Sequence, residues 1–177
     1  MDGGKNETRL AAPEETRAWG ERLGRACRGG EVIWLAGGLG AGKTCLAQGL
    51  AAGLGVPPGM AVTSPTFVLH NQYPGRLRLD HFDLYRLAGP SEAGGPGEDT
   101  SLAPAPPAIL DGLGLDEWWG AADGVCAIEW PGVLGGHRPE GGLEVRLDVL
   151  PDGARLLSAL ALDRAHRMLL ESMGCGA

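Results

Sequence analysis

The stretch GGLGAGKT, residues 37–44, is the most informative part of this chain. It fits the pattern G-x-x-x-x-G-K-[ST], with the required residues at Gly37, Gly42, Lys43 and Thr44. In such a loop the backbone N–H groups surround a phosphate, which needs unusual φ and ψ angles and no Cβ in the way. The lysine then reaches the β- and γ-phosphates, and the hydroxyl binds Mg²⁺. The stretch therefore predicts a site for a nucleoside triphosphate.

The residues on either side of the loop decide whether this pattern is meaningful, because the chain contains 31 glycines. A phosphate-binding loop leaves a strand and opens a helix. EVIWLA, residues 31–36, is a short apolar run typical of a buried parallel strand. KTCLAQGLAAGLG, residues 43–55, places Leu46, Leu50 and Leu54 on one helical stripe. An ordinary glycine turn would not explain the Lys–Thr pair, so we predict nucleotide binding along the whole loop. Its residues are Gly37, Gly38, Leu39, Gly40, Ala41, Gly42, Lys43 and Thr44.

Composition limits the class of protein. With 177 residues the chain has the length of one domain, and its net charge of −7 argues against direct nucleic-acid binding through a broad basic face. Any involvement of RNA is therefore expected to come through a partner. The four cysteines form no C-x-x-C pair, so neither a zinc site nor a disulfide framework is predicted, and Cys45 and Cys126 read as small buried apolar residues. Without a signal peptide or a run of eighteen apolar residues, the sequence predicts a soluble, cytoplasmic protein.

Strands and helices alternate along the rest of the chain. The predicted helices cover residues 13–30, 43–55 and 163–174, and the predicted strands cover residues 31–36, 125–129 and 142–150. Two further segments, residues 63–73 and 76–87, flank Pro74 and Gly75 and predict an antiparallel hairpin. This order predicts an α/β fold of the P-loop NTPase type, with a mostly parallel central sheet flanked by helices and an antiparallel hairpin extension. Residues 89–108 are rich in proline and glycine and predict a mobile surface insertion within the single domain.

Two acids follow apolar segments and are candidates to work with the loop. Glu129 ends the predicted strand 125–129, where an acid at the carboxyl end of a parallel strand holds Mg²⁺ or positions water. The alternative for Glu129 is a surface acid, but the loop upstream favours the functional role. Asp83 either contacts Mg²⁺ through water or orients the attacking water, or else forms a salt bridge with Arg86, and residue chemistry does not separate these readings.

Polar and aromatic residues near these acids form a second set of candidates. Thr66 lies between the loop helix and the hairpin, where nucleotide switches place a hydroxyl that senses the γ-phosphate, although a turn around Pro65 also explains it. Trp130 is either a core aromatic or a stacking surface. His81 is more readily explained as a structural histidine than as a metal ligand, because a lone H-x-D is weak evidence for a metal.

Four motifs together carry a resemblance that none carries alone. GGLGAGKT, SPTF, HFDLYRL and IEWPG, in this order and at these spacings, resemble the TsaE family of small bacterial P-loop ATPases. The resemblance runs from Thr16 to Arg155 and is interrupted by residues 89–108. It implies a Mg²⁺-dependent ATPase that binds ATP and supports the synthesis of N6-threonylcarbamoyladenosine in tRNA. The implied partners are TsaD and TsaB proteins, with tRNA reached indirectly through their complex.

The resemblance also implies roles for individual residues. Lys43 matches the phosphate-binding lysine, Thr44 the magnesium ligand, and Glu129 an acid at a magnesium or catalytic position. Asp83 matches a functional aspartate. Thr66 matches a switch-like threonine, Trp130 matches a functionally important tryptophan, and we assign both to nucleotide binding. Gly153 and Arg155 resemble a glycine and an arginine that approach the nucleotide.

Two other functions remain open from the sequence. A small-molecule or nucleotide kinase would use the same loop, but its lid usually carries arginines, and residues 89–108 contain no arginine or lysine. The second alternative function is a nucleotide sensor that does not hydrolyse the nucleotide. Glu129 and Asp83 argue against it, because they are candidates for binding Mg²⁺ and positioning water. The guanine-reading motif N-K-x-D is absent from the sequence, which disfavours a GTP-specific switch.

Overall fold

A seven-stranded sheet forms the centre of the molecule. The structure is a computed structural model that describes residues 6–88 and 102–174. The strands are β1 Asn6–Leu10, β2 Val32–Ala36, β3 His70–Tyr73, β4 Arg78–Asp83, β5 Gly124–Glu129, β6 Leu143–Val149 and β7 Arg155–Ala161.

The strand order across the sheet is β1-β7-β6-β2-β5-β4-β3. The strands β6, β2, β5 and β4 form a parallel core, and the other pairings, at both edges, are antiparallel. The predicted α/β fold is confirmed, with β3 and β4 as the hairpin. The antiparallel part is larger than predicted, because β7 and β1 extend the opposite edge. Since β2 lies in the parallel core between β5 and β6, the loop that follows it emerges at the carboxyl edge of the sheet, where ligands bind in such folds.

Helices and 3₁₀ turns cover both faces of the sheet. The helices are α1 Pro13–Ala26, α2 Lys43–Gly53, α3 Pro107–Asp111 and α4 Arg164–Ser172, and the 3₁₀ turns are Tyr85–Leu87, Leu115–Glu117 and Pro131–His137. Ile33 and Leu35 of β2 enter the core shared with α1, α2 and α4, whereas Trp34 enters a second core under α3 and the 3₁₀ turns. Within the described residues, none of the helices is long and apolar enough to cross a membrane.

The helices α1 and α2 pack with their backbones in close approach. A Cβ on Gly49 would lie 2.0 Å from the carbonyl oxygen of Arg17, and one on Gly53 would lie 2.2 Å from that of Glu21. Side chains at these positions would push the helices apart. This contact fixes the position of α2, and α2 begins with Lys43 and Thr44, the last two residues of the predicted phosphate-binding loop.

Gly49→Ala is expected to lower the free energy of unfolding by about 1–3 kcal/mol, because the backbones must shift to admit the methyl group. For a chain of this size, each kcal/mol corresponds to a fall in Tm of about 2–4 °C. Gly59→Ala is the matched control, since a Cβ there meets no heavy atom within 4 Å. Thermal unfolding followed by circular dichroism measures both variants, and equal Tm values would contradict the close packing.

The beginning of the first predicted strand of the hairpin, residues 63–69, is not extended in the structure. Residues 63–69 lie outside β3, and the N–H groups of Val68 and Leu69 both donate to the carbonyl of Pro65, at 3.0 and 2.7 Å. Leu69, the residue before β3, has a φ of 67°, which is a left-handed backbone conformation and not an extended one. The prediction of a strand from residue 63 is therefore wrong, because local hydrogen bonds around Pro65 close a turn there.

The prediction of a mobile insertion over residues 89–108 falls largely outside the described residues, which exclude 89–101. The part from Leu102 onward is described. Ala105 is buried, and its N–H donates to the carbonyl of Val133 at 2.9 Å. Pro107 then begins α3. Residues 102–108 thus contribute contacts to the second core.

The described cysteines, Cys27, Cys45 and Cys126, are free thiols. Burial raises the pKa of Cys126 to about 12 and also raises the pKa of Cys27. Because the thiolate is the reactive form, both are poor nucleophiles. Cys126 is the small buried residue that was predicted, whereas Cys45 is partly exposed and its thiol donates to the carbonyl of Pro13.

Candidate functional site

The loop after β2 follows a path that depends on glycine at two positions. Gly37 has a φ of +135°, and a Cβ there would lie 2.4 Å from the carbonyl oxygen of Leu147 in β6. Gly42 has a φ of 113° and directly precedes the eleven-residue helix α2. The loop therefore packs tightly against the sheet at one end and opens a helix at the other. The N–H groups at a helix N-terminus and the helix dipole attract anions, so this end of the loop suits a phosphate.

Lys43 is the buried cation of the site, with only 5% of its surface exposed. Its Nζ donates to the carbonyl oxygens of Gly37 and Gly38, at 2.6 and 2.9 Å. The same Nζ lies 3.6 Å from the centre of the Trp130 ring, within the range of a cation–π contact. The ammonium group is thus held at the start of α2, between the loop and Trp130.

Arg155 contacts the backbone of the loop, and Gly153 contacts Arg155. The Arg155 guanidinium donates to the carbonyls of Ala41 at 3.2 Å and Gly40 at 3.4 Å, and also to that of Gly153 at 2.6 Å. This residue begins β7, so it ties the loop to the antiparallel edge of the sheet. In the structure Arg155 supports the loop backbone.

Thr44 and Glu129 come from different elements and meet beside the loop. The Thr44 hydroxyl donates to Glu129 Oε1 at 3.2 Å. His81 Nε2 lies 2.9 Å from the same oxygen. Glu129 is the last residue of β5 and is buried, and β5 pairs in parallel with both β2 and β4. Parallel pairing therefore brings this carboxylate to the edge where the loop emerges.

Asp83 pairs with Glu129 in the register of β4 and β5, and its carboxylate is held by the turn before β3. Ser64 and Thr66 both donate their hydroxyls to Asp83 Oδ2, the latter at 2.6 Å. The N–H of Tyr85 donates to Oδ1 at 3.0 Å. The salt bridge to Arg86 considered from the sequence is not formed, because the guanidinium of Arg86 instead donates to Phe67 and lies over its ring.

These residues surround one cleft of about 380 Å³. The predicted site residues that line it are Leu39, Gly40, Ala41, Gly42, Lys43, Thr44, Thr66, Asp83, Glu129 and Trp130. Four other predicted residues do not line it, namely Gly37, Gly38, Gly153 and Arg155. Gly37 and Gly38 still contact Lys43 through their carbonyls. Arg155 donates to loop carbonyls, and Gly153 accepts a hydrogen bond from Arg155.

Three residues that belong to this arrangement are not among the predicted site residues. Ser64 and Tyr85 line the cleft and hold Asp83, and His81 contacts Glu129. Alternation along β4 was the available signal for His81, because residues two apart on a strand share a face and Asp83 was already a candidate. Ser64 was visible as a second hydroxyl beside Thr66. Nothing in the sequence indicated that Tyr85 would turn its N–H towards Asp83.

The residues of the cleft fit a magnesium-bound nucleotide. The volume lies within the range of small-molecule sites, and the buried Lys43 ammonium supplies positive charge for phosphate oxygens. Magnesium prefers hard oxygen ligands and usually keeps one or two protein oxygens, completed by phosphate and water. The adjacent oxygens of Thr44 and Glu129 have this chemistry.

Over most of its length the chain is similar to proteins of one family. The family model for threonylcarbamoyl adenosine biosynthesis protein TsaE matches residues 10–156. A tRNA threonylcarbamoyladenosine biosynthesis protein TsaE from Treponema pallidum is 39% identical over 143 residues, covering 80% of this chain and 90% of the relative. The protein of the same name from Bacillus subtilis is 32% identical over 166 residues, covering 93% of this chain and 91% of the relative. The crystal structure of Bacillus subtilis YdiB superposes with a TM-score of 0.77 at 28% identity, covering 98% of this chain and 97% of the other.

Proposed function

Because the chain belongs to the TsaE family, we propose that it acts in the synthesis of N6-threonylcarbamoyladenosine in tRNA as a Mg²⁺-dependent ATPase. The names of the family and of both curated relatives support the pathway. The observation that supports the proposed ATPase activity is that one cleft beside the loop is lined by Lys43, Thr44, Asp83 and Glu129. In this proposal the protein works in the cytoplasm with TsaD- and TsaB-type proteins, and tRNA is reached only through them.

The side chains divide the work of ATP hydrolysis among them. Lys43 neutralises charge on the β- and γ-phosphates, while the loop N–H groups hold their oxygens. Thr44 and Glu129 hold Mg²⁺, which supplies the positive charge that stabilises the developing charge on the phosphates. Glu129 accepts a hydrogen bond from Thr44, so we assign it to the metal and to the positioning of water beside the metal. Trp130 keeps the Lys43 ammonium at the start of α2 through its ring.

Asp83 has a different task in this proposal, which is to couple the cleft to an exposed turn. Its carboxylate holds Ser64 and Thr66, and the next two residues, Phe67 and Val68, are 85% and 65% exposed. Exposed apolar side chains of this size often mark protein contacts. A change in the hydrogen bonds of Thr66 would therefore move the residues that a partner meets. Order–disorder changes in such loops are a common way for nucleotides to control association.

Retention of the partner proteins is expected to depend on the bound nucleotide. With the chain immobilised, TsaD- and TsaB-type proteins are passed over it with Mg²⁺ and a non-hydrolysable ATP analogue, with Mg²⁺ and ADP, or without nucleotide. We expect affinities that differ by about 5- to 150-fold between the ATP and ADP states, the usual size of such coupling. Binding that ignored the nucleotide would contradict the proposal.

Thr66→Val is a sharper form of the same measurement. It removes the hydroxyl that donates to Asp83 but keeps the branched shape, so nucleotide should still bind while the difference between the two states shrinks. Thr8→Val, in the edge strand β1, is the matched control and should keep the full difference.

A further inference from the structure

His81 is a buried polar residue to which the proposed chemistry gives no role. Its side chain has no exposed surface, and it lies on β4, which is paired on one side with β3 and on the other with β5. The residue opposite it in β3 is Asn71, and the residue opposite it in β5 is Ala127. A strand that is hydrogen-bonded on both sides is a rigid support, so the position of the His81 ring is well determined.

The ring makes one directed contact, with Glu129. His81 Nε2 lies 2.9 Å from Glu129 Oε1, the oxygen that also accepts the Thr44 hydroxyl at 3.2 Å. A carboxylate only accepts hydrogen bonds, so the hydrogen of this contact belongs to Nε2. The other ring nitrogen, Nδ1, is buried and has no hydrogen-bond partner among the described residues. The single polar function of the ring is therefore to hold one oxygen of Glu129.

We propose that His81 is a positioning residue that orients Glu129 for the magnesium ion of a bound nucleotide. The inference rests on the proposed function only in requiring that the cleft binds a magnesium nucleotide. Because His81 and Thr44 both contact Oε1 of Glu129, the carboxylate is held against rotation. Its second oxygen, Oε2, therefore has a defined direction. Partners that hydrogen-bond to metal-ligating carboxylates typically contribute 10- to 100-fold to metal affinity or activity.

A second histidine–carboxylate pair in the same sheet serves as an internal comparison. His70 Nε2 lies 3.1 Å from Asp80 Oδ1, and its ring stacks on Phe82, on the face of the sheet opposite to that of His81. Burial raises the pKa of Asp80, but hydrogen bonds from His70, Gln72 and Arg78 outweigh it and hold that pKa below its ordinary value. Since Asp80 keeps two other donors and does not line the cleft, loss of His70 should leave magnesium binding unchanged.

The test measures the magnesium gain, which is the factor by which Mg²⁺ increases the affinity of the protein for the nucleotide. The dissociation constant of a fluorescent ADP is measured in Mg²⁺ and in EDTA for the wild type, His81→Leu, His81→Gln and His70→Leu. His81→Leu is expected to reduce the magnesium gain about tenfold or more, with the affinity in EDTA preserved. His81→Gln, which places an amide N–H near the Nε2 position, should keep most of the gain. His70→Leu should keep all of it.

Two outcomes would overturn the inference. One is a full magnesium gain in His81→Leu. The other is an equal loss of affinity in Mg²⁺ and in EDTA for all His81 variants, which would indicate a structural role. If the leucine variant does not fold, His81→Asn and His81→Gln decide, because the shorter asparagine amide does not reach Glu129 and should lose the gain that glutamine keeps.

The result is separable from the ATPase proposal. If the wild-type protein shows a normal magnesium gain but hydrolyses no ATP, the ATPase proposal is wrong. The His81 variants still decide whether His81 orients Glu129. A wild-type protein without a magnesium gain would overturn both.

Discussion

Lys43→Ala is expected to weaken nucleotide binding by about 30- to 4,000-fold, which corresponds to the loss of about 2–5 kcal/mol when one partner of a buried charge contact is removed. Lys43 is nearly fully buried and is the first residue of α2. Its loss removes the positive charge that, in the proposed mechanism, would face the phosphates. It also frees the carbonyls of Gly37 and Gly38, so the loop loses an internal brace.

The measurement for Lys43→Ala is an equilibrium titration with fluorescent ADP, accompanied by thermal unfolding to verify the fold. Arg17→Ala is the matched control. It removes an exposed cation that donates to Gln48 of the same helix α2, outside the cleft, and should bind nucleotide like the wild type. If Lys43→Ala bound and hydrolysed ATP as well as the wild type, the site would be assigned to the wrong residues.

The fold around the loop was predictable because its local signals agree with its place in the sheet. The apolar run 32–36 is buried on both faces, and the stripe of Leu46, Leu50 and Leu54 is fully buried. A central parallel strand and an amphipathic helix have few other ways to bury such residues. Local pattern and tertiary packing therefore point to the same structure.

The edge strands were less predictable, because they form by pairing rather than from their own pattern. The sequence NETRL of β1 has almost no apolar content, and its strand exists through antiparallel pairing with β7. RLLSALA of β7 contains leucine and alanine, which favour helix as much as strand. Only contact with β6 and β1 makes it extended. Tertiary context outweighs propensity in both cases.

The direction of the Trp130 side chain differs from the one that strand alternation predicts, because of one backbone angle. Alternation along β5 directs it away from Glu129, yet both residues line the same cleft. Trp130 has a φ of 64°, so the strand ends at Glu129 and the chain turns. Left-handed backbone costs about 1–3 kcal/mol in a bulky residue, and such positions cluster at functional sites. Here the turn brings the ring under Lys43.

The hydrogen bonds among the candidate residues could not be predicted from the sequence either. The sequence identified Asp83 and Glu129 as acids at strand ends, but the hydrogen-bond partners of each acid depend on which elements face it. Glu129 meets α2 through Thr44, and Asp83 meets the turn through Ser64 and Thr66. This difference is the physical basis for assigning the acids different tasks.

Glu129→Gln is expected to reduce ATP hydrolysis by about 100- to 10,000-fold, the range that a positioned acid or base contributes. The amide keeps the size of the side chain and an oxygen that can still accept from Thr44 and His81. It loses the negative charge that, in the proposed mechanism, would hold Mg²⁺ and order water beside the γ-phosphate. Nucleotide affinity in EDTA should therefore stay at the wild-type value, whereas affinity in Mg²⁺ should fall, because the variant lacks the charge that the proposal assigns to the metal. Steady-state ADP release measures turnover, and binding in Mg²⁺ and in EDTA measures the two affinities.

Glu144→Gln is the matched control, because this acid lies on β6 beside β2 and pairs with Arg138 outside the cleft. It should hydrolyse ATP at the wild-type rate. Asp83→Asn provides the contrast between the two acids. It disturbs the contacts with Ser64 and Thr66, so it should reduce nucleotide-dependent partner binding more than hydrolysis by the isolated chain. Wild-type turnover in Glu129→Gln, together with a large loss of turnover in Asp83→Asn, would reverse the assignment, and Asp83 would then be the acid that positions the attacking water.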